Sequence, residues 1–187
     1  MPKGEHKGWR NRGYLPHFDS PCCVQHIVMR AIDSLPATTI ASLPIDSTAR
    51  NRALALALDG GQGTRPFAKQ AAAKAVEDTL LHFDGARYDL VAWCVMPNHA
   101  HVAAQWRTGF RLGDTIKSWK TYSARRLNGM AGATGAVWAP DYFDRFVRDE
   151  ADLVALVAYI ENNPVSAGLV DAAEAFAFSS ARRRCAD

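Results

Sequence analysis

Two histidines one residue apart, His99 and His101, are the residues of this chain best suited by type and spacing to bind a metal ion. Residues 99–106 alternate in polarity, which indicates a strand, and residues two apart in a strand point to the same side. Both imidazoles can therefore reach one ion, while the other side of the strand packs on the core and leaves the histidines accessible. Two incidental surface histidines would show the same pattern.

A tyrosine later in the chain, Tyr159, is a candidate for nucleophilic chemistry. It lies off the apolar stripe of a predicted amphipathic helix, on a side that also carries Asp152, Ala155, Asn162 and Asn163. Spacings of three, four and seven bring these residues together on one helix face. This face combines a hydroxyl with small and polar groups, although a half-buried structural tyrosine would fit the same pattern.

Other polar residues near these candidates have simpler interpretations. Tyr142 competes for a nucleophilic role, but it stands beside Phe143 in an aromatic segment, where packing is the expected role. The amides of Asn98, Asn162 and Asn163 could complete a coordination sphere. They could equally cap the turns at two neighbouring prolines, and capping is the favoured role of Asn98 and Asn162.

The elements that must position these residues follow from hydrophobic periodicity and from helix-breaking residues. Strands are predicted at 24–31, 88–95, 99–106 and 142–148, the last at an edge, and helices at 38–58 with a break at Pro44, at 66–83, at 112–130 and at 149–162, ending at Pro164. The strand at 88–95 is apolar on both faces, which indicates a central position in the sheet. This order of elements predicts an α+β fold with an antiparallel sheet.

Composition limits the classes of protein that fit. The chain has 187 residues, of which 48% are hydrophobic and 10% aromatic, enough for one domain with a packed core. No apolar run approaches the roughly 18 residues of a membrane span, and the N-terminus lacks the apolar stretch of a signal peptide. The four cysteines form no CxxC pair, which argues against a disulfide framework or a cysteine zinc site. A cytoplasmic protein is therefore expected.

Basic residues are concentrated in particular segments, although the net charge is only +3. Residues 106–148 carry eight basic and three acidic residues, whereas 149–177 carry six acidic residues and no basic ones. This segregation predicts a polyanionic partner, although a solvated surface would also explain it. We expect a basic N-terminal arm at 1–20, one domain at 21–180 and a basic tail at 181–187. The candidate residues for binding such a partner are Arg10, Arg12, Lys117, Lys120, Arg125 and Arg148.

Several weak motifs occur together in one order along the chain. They are residues 10–18 (RNRGYLPHF), 94–102 (CVMPNHAHV), 123–128 (SARRLN), 137–150 (VWAPDYFDRFVRDE) and 159–170 (YIENNPVSAGLV). This combination resembles the single-tyrosine HUH transposases, and most closely the REP-associated tyrosine transposases of bacteria. The resemblance covers roughly residues 9–180.

The resemblance implies a fold and a set of site residues. It implies a ferredoxin-like (RRM-like) antiparallel sheet with helices packed on one side and the catalytic tyrosine, Tyr159, on a C-terminal helix. His99 and His101 match the two histidines of the HUH motif, and Asn163 matches a third polar ligand one turn after the tyrosine. Some relatives carry a carboxylate ligand three residues before the first histidine, where this chain has Met96.

The resemblance also implies an activity and its partners. The expected enzyme cleaves and rejoins single-stranded DNA next to REP-type hairpins through a 5′-phosphotyrosine, assisted by Mg²⁺ or Mn²⁺. It is expected to act as a monomer, whereas relatives outside this group form dimers that complete the site in trans. It is expected to work on DNA of the nucleoid and to have no membrane partner. Zn²⁺ would suit the histidine pair equally well.

Two other functions fit the same residues. One is a non-catalytic, domesticated hairpin-binding protein, against which the intact set of His99, His101 and Tyr159 argues. The other is a small metal hydrolase with an HxH pair, which needs a further strong ligand and a general base. No such ligand stands at an obvious spacing, although Asp89 or Glu161 could serve.

Overall fold

The computed structural model describes residues 8–12, 15–44, 47–60 and 63–185. The strands are β1 (Gly8–Arg12), β2 (Leu15–Asp19), β3 (Val24–Arg30), β4 (Tyr88–Val95), β5 (His99–Trp106) and β6 (Phe143–Phe146). The helices are α1 (Ala37–Ala41), α2 (Ser47–Asp59), α3 (Gln70–Leu81), α4 (Leu112–Ala131), α5 (Glu150–Ser166) and α6 (Ser180–Arg184), with a 3-10 turn at Ala173–Ala175. Among these residues, no helix is long and apolar enough to cross a membrane.

Four strands form one antiparallel sheet in the order β4-β5-β3-β6. Because α3 connects β3 to β4 and α4 connects β5 to β6, the chain follows the βαββαβ path of a ferredoxin-like fold. The predicted α+β class with an antiparallel sheet is confirmed. The predicted edge position of β6 is correct as well.

The prediction that β4 is a central strand is wrong, because β4 lies at one edge of the sheet. Its outer edge is covered by the C-terminal segment: the Val95 N–H donates to the Phe178 carbonyl (2.9 Å) and the Trp93 N–H donates to Ser180 Oγ (3.1 Å). A strand that is covered on both faces and along its free edge is as apolar as a central strand.

Helices cover both faces of the sheet, rather than one face only. The even-numbered side chains of β5, from Ala100 to Trp106, join the larger core with residues of α3 and α4. On the opposite face, Leu156 and Ile160 of α5 pack against residues of β4 and β5. Leu58, near the end of α2, joins Val28 and Phe143 on the same face.

Two helix ends differ from their predicted positions. Helix α3 begins at Gln70 and not at Pro66, and α5 continues past Pro164 to Ser166. Proline has no N–H, so it removes one hydrogen bond from a helix. The turn survives here because the Ala167 N–H donates to the Asn163 carbonyl (3.0 Å) and the Leu169 N–H donates to the Pro164 carbonyl (2.9 Å).

Within the predicted arm, β1 and β2 pair with each other as an antiparallel hairpin. The hairpin is attached to the sheet by Phe18, whose ring centroid lies 5.3 Å from that of Phe146, and by His17, which is wholly buried beside Asp144. The division of the chain into arm, domain and tail stays a prediction.

Candidate functional site

The two histidines of β5 converge on one point. Ala100, Val102 and Ala104 pack into the core, so strand alternation turns His99 and His101 to the opposite face. Their Nε2 atoms lie 2.9 Å apart. Both side chains are fully buried, so the expectation of accessible histidines is wrong. Alternation predicted correctly the side of the strand on which they lie, but α5 and the end of α2 cover that side.

The other ring nitrogen of each histidine also has a partner. His99 Nδ1 donates to Asn98 Oδ1 (2.7 Å), which leaves Nε2 of the neutral ring without a proton. His101 Nδ1 lies 3.1 Å from Nε2 of His26, a buried residue of β3. Burial lowers the pKa of His99 to about 4 and that of His26 well below its usual value, so both rings are neutral at pH 7.

A carboxylate at the end of α2, Asp59, joins the histidine pair. Its Oδ1 atom lies 3.3 Å from His99 Nε2 and 3.7 Å from His101 Nε2. As a carboxylate, Asp59 carries a negative charge at neutral pH.

Gly63, four residues after Asp59, lies close to another part of the backbone. Gly63 has φ +76°, and a Cβ atom there would stand 2.3 Å from the Asp33 carbonyl oxygen. Only glycine fits such a contact with positive φ. The close approach fixes Gly63 against the loop that follows β3.

Tyr159, on α5, lies over the histidines. Its ring centroid is 5.4 Å from that of His101 and 6.0 Å from that of His26, both in edge-on contacts. The hydroxyl donates to Asp59 Oδ2 at 3.4 Å. Burial and the Asp59 charge raise the pKa of the hydroxyl, yet 38% of the residue remains exposed to an incoming molecule.

Asn163 lies one turn further along α5 and is almost completely buried. Its Nδ2 atom stands 3.3 Å from His101 Nε2, while its Oδ1 atom makes no hydrogen bond within the described structure. Rotating the amide by half a turn would exchange these two atoms and direct the oxygen at the histidines. The asparagine and the Asp59 carboxylate thus supply oxygen donors beside two imidazole nitrogens, a set that fits a divalent metal ion.

The candidate DNA-binding residues lie elsewhere on the surface. Lys117 and Arg125 are exposed on α4 and line a shallow depression together with Tyr122. Arg148 is exposed just before α5, 3.7 Å from Asp152. Arg10 and Arg12 lie in β1, and their side chains are outside the described part of the structure.

Lys120 has a different environment. Its ammonium donates to the carbonyls of Ala139, Pro140 and Asp141 at 2.9, 3.3 and 2.8 Å. These bonds hold the loop before β6 against α4. Because its donors are engaged inside the protein, the structure argues against the predicted contact of Lys120 with DNA.

The other polar candidates are engaged away from the histidine cluster. Tyr142 stacks on His17 with ring centroids 4.3 Å apart, in line with the packing role expected for it. Asp89 pairs with Arg107, and Glu161 accepts from Ser180 and Arg184. Neither carboxylate is part of the cluster.

Sequence reasoning missed Asp59 and His26. The available signal for His26 was a polar residue inside an otherwise apolar strand, on the face that β3 shares with His101. For Asp59 the signal was weaker, because an acidic residue before a glycine-rich turn is common on protein surfaces.

Comparisons with known proteins find a family model, a curated protein and a solved structure that are similar to this chain. The family model described as "Transposase IS200 like" matches residues 69–163, a span that contains His99, His101, Tyr159 and Asn163. A curated protein of Haemophilus influenzae described as a REP-associated tyrosine transposase is 26% identical over 119 residues. The match covers 58% of this chain and 66% of that protein, a little under two thirds of its length.

A solved structure gives the same fold. The structure of a REP-associated tyrosine transposase bound to a REP hairpin matches with a TM-score of 0.62 and 16% identity, over 91% of this chain and 83% of that one. The solved structure confirms the fold, and the family model and the curated relative confirm the resemblance predicted from the motifs. Since the family model spans half of the sequence and includes both the histidine pair and the tyrosine helix, the chain belongs to the family of IS200-like transposases.

Proposed function

We propose that this protein cleaves and rejoins single-stranded DNA next to REP-type hairpins through a 5′-phosphotyrosine formed on Tyr159, with assistance from Mg²⁺ or Mn²⁺. The observation that carries the proposal is the position of the tyrosine hydroxyl, which contacts the Asp59 carboxylate that also meets the two histidines. The hairpin bound by the structurally similar transposase supports the choice of substrate.

The residues of the site have separate tasks in this reaction. The Tyr159 oxygen attacks the phosphorus, the bond from phosphorus to the 3′ oxygen breaks, and one proton moves overall from the tyrosine hydroxyl to the departing 3′ oxygen. The phosphodiester energy is kept in the new ester, so a second 3′-OH can reverse the step and join new strands. His99 and His101 present their Nε2 atoms, and Asn163 presents an amide, to hold the ion.

A tyrosine with a raised pKa is a weak nucleophile at neutral pH, so the site needs positive charge near the phosphate. Held at the histidine pair, a divalent ion would orient the scissile phosphate and offset its developing negative charge. The site residues keep the tyrosine beside this position and exclude bulk water from the histidines, which are fully buried.

The arrangement also supports the remaining parts of the proposal. Tyr159, both histidines and Asn163 come together within one chain, which supports activity as a monomer. Exposed cations at Lys117, Arg125 and Arg148 suit a nucleic-acid backbone. We place the activity in the cytoplasm, on DNA of the nucleoid.

The test is covalent trapping. Incubating the full chain with end-labelled single-stranded hairpin DNA and Mg²⁺ should give a protein–DNA adduct that survives denaturing gel electrophoresis. Tyr159→Phe should abolish the adduct and retain hairpin binding, because only the hydroxyl is lost. Tyr142→Phe, at the tyrosine that competes for the nucleophilic role in the sequence, is the matched control and should still form the adduct. An adduct formed by Tyr159→Phe would eliminate Tyr159 as the nucleophile.

A metal hydrolase is the second candidate function. Asp59 favours this function, because its carboxylate supplies the third strong ligand that the sequence did not show beside the HxH pair. The same experiment separates the two functions. A hydrolase would give cleaved DNA without an adduct, and its cleavage would survive Tyr159→Phe. Hairpin binding with neither adduct nor cleavage would indicate the non-catalytic alternative.

A further inference from the structure

We propose that Asp59 is a metal ligand, so that the site binds its ion through a carboxylate as well as through His99 and His101. This inference rests on the proposed function, which needs an ion at the histidine pair. Asp59 lies outside the segment matched by the family model, residues 69–163. The carboxylate is delivered by α2, which precedes that segment in the chain.

The geometry of the three ligand atoms suits one ion. Neighbouring ligands of an octahedral ion with bonds of about 2.1 Å stand roughly 3 Å apart. The Nε2 atoms of His99 and His101 are 2.9 Å apart, and Asp59 Oδ1 lies 3.3 Å from the first and 3.7 Å from the second. Small side-chain movements would bring all three atoms to ligand distance.

The hydrogen bonding of the cluster leaves one oxygen of the Asp59 carboxylate, Oδ1, without a donor. Asp59 Oδ1 is buried and makes no hydrogen bond within the described structure. His99 already uses its Nδ1 proton on Asn98, so its Nε2 atom faces Asp59 Oδ1 as a lone-pair acceptor. Two acceptor atoms facing each other in a buried site repel one another, and a cation removes that repulsion.

Asn163 of α5 also has an oxygen without a hydrogen-bond donor. Its Oδ1 atom is the other oxygen near His101 that is buried and makes no hydrogen bond within the described residues. An ion held by two imidazole nitrogens, a carboxylate oxygen and an amide oxygen would satisfy both oxygens at once. Nitrogen ligands favour Mn²⁺ over Mg²⁺, which prefers oxygen, so we expect tighter binding of Mn²⁺.

Asp59 would also connect the ion to the nucleophile. One carboxylate oxygen, Oδ1, faces the histidines, while the other, Oδ2, accepts from the Tyr159 hydroxyl. The carboxylate therefore sets the distance between the tyrosine and the ion. A surface carboxylate would show neither contact.

The test measures metal binding directly. Titration of the full chain with Mn²⁺, followed by the electron paramagnetic resonance signal of free Mn²⁺, gives a Kd for each variant. Asp59→Asn keeps the size of the side chain and removes its charge, and it should raise the Kd for Mn²⁺ about 100-fold. Asp33→Asn removes an exposed carboxylate and should leave the Kd within twofold of the wild-type value. A rise of less than tenfold in Asp59→Asn overturns the assignment.

A second measurement does not depend on the folding of a variant. Saturating the wild-type protein with Mn²⁺ should shift a carboxylate stretching band in the infrared difference spectrum. An unchanged carboxylate region would overturn the assignment even if Asp59→Asn failed to fold.

His99→Ala separates this inference from the proposed function. If wild type and His99→Ala bind Mn²⁺ equally, the metal-assisted part of the proposed function fails. If His99→Ala loses Mn²⁺ while Asp59→Asn keeps it, only the assignment of Asp59 fails.

Discussion

His17 provides a stringent test of how the N-terminal hairpin is attached to the sheet. Its ring is wholly buried, with Nδ1 against Asp144 and Nε2 3.2 Å from Asp141. Burial alone lowers the pKa of His17, but the hydrogen bonds and charges of the two carboxylates outweigh it and raise the pKa to about 9. His17 is therefore a buried cation at neutral pH.

The size of this effect follows from the pKa. A rise from 6.5 to about 9 corresponds to about 3 kcal/mol of stabilisation, since each tenfold change in proton affinity is about 1.4 kcal/mol. Because the pKa is higher in the folded state, the stabilisation is fully present below pH 6.5 and is lost as the pH rises through 9. Replacement by glutamine, which carries no charge, removes this pH dependence.

The assay is urea unfolding followed by tryptophan fluorescence, at pH 6 and at pH 9.5, for wild type and His17→Gln. The difference in unfolding free energy between the two proteins should shrink by about 3 kcal/mol between these pH values. His82→Gln, at an exposed histidine, is the control for removing a histidine. A difference between wild type and His17→Gln that stays the same at both pH values would refute a charged His17.

Further predictions concern DNA and metal binding. Lys117→Ala should lower the slope of log affinity for hairpin DNA against log salt by about 0.7, the value for one single-strand phosphate contact, and an unchanged slope would mean a merely solvated side chain. Lys120→Met should leave that slope unchanged. It should lower the unfolding free energy by about 2 kcal/mol, because three carbonyls lose a charged donor. A lower slope in this variant would instead show that Lys120 contacts DNA. Asn163→Ala should raise the Mg²⁺ concentration needed for half-maximal adduct formation, with excess Mn²⁺ restoring part of the rate. Asn162→Ala should leave the required Mg²⁺ concentration unchanged, because the Asn162 amide is exposed and bonds within its own helix. Equal metal dependence of wild type and Asn163→Ala would remove Asn163 from the site.

Local periodicity explains the parts of the site that the sequence predicted. Alternation along β5 placed His99 and His101 on one side, and helical spacing placed Asn163 one turn after Tyr159. Both rules concern residues close together in the chain, where backbone geometry alone determines which way side chains point. The proximity of Tyr159 to the histidines came from the family resemblance, since no local rule connects α5 to β5.

The features that were missed depend on contacts between distant segments. Asp59 precedes His99 by 40 residues and reaches it only because α2 packs on the sheet. The burial of the histidines depends on what covers their face, which alternation does not report. In the same way, the apolar character of β4 shows that it is covered, but not that residues 178–180 provide the cover along one edge.

The C-terminal segment that covers the edge of β4 also contacts the helix that carries Tyr159. A chain shortened before Phe178 would leave the N–H groups of Trp93 and Val95 open, and a bare strand edge is a template on which a second copy can extend the sheet. The same C-terminal segment holds Glu161, two residues after Tyr159, through Ser180 Oγ (2.6 Å) and Arg184 Nε (2.8 Å). Proteolytic trimming at this end would thus promote self-association and, in the same event, remove two hydrogen bonds from the helix that carries the tyrosine.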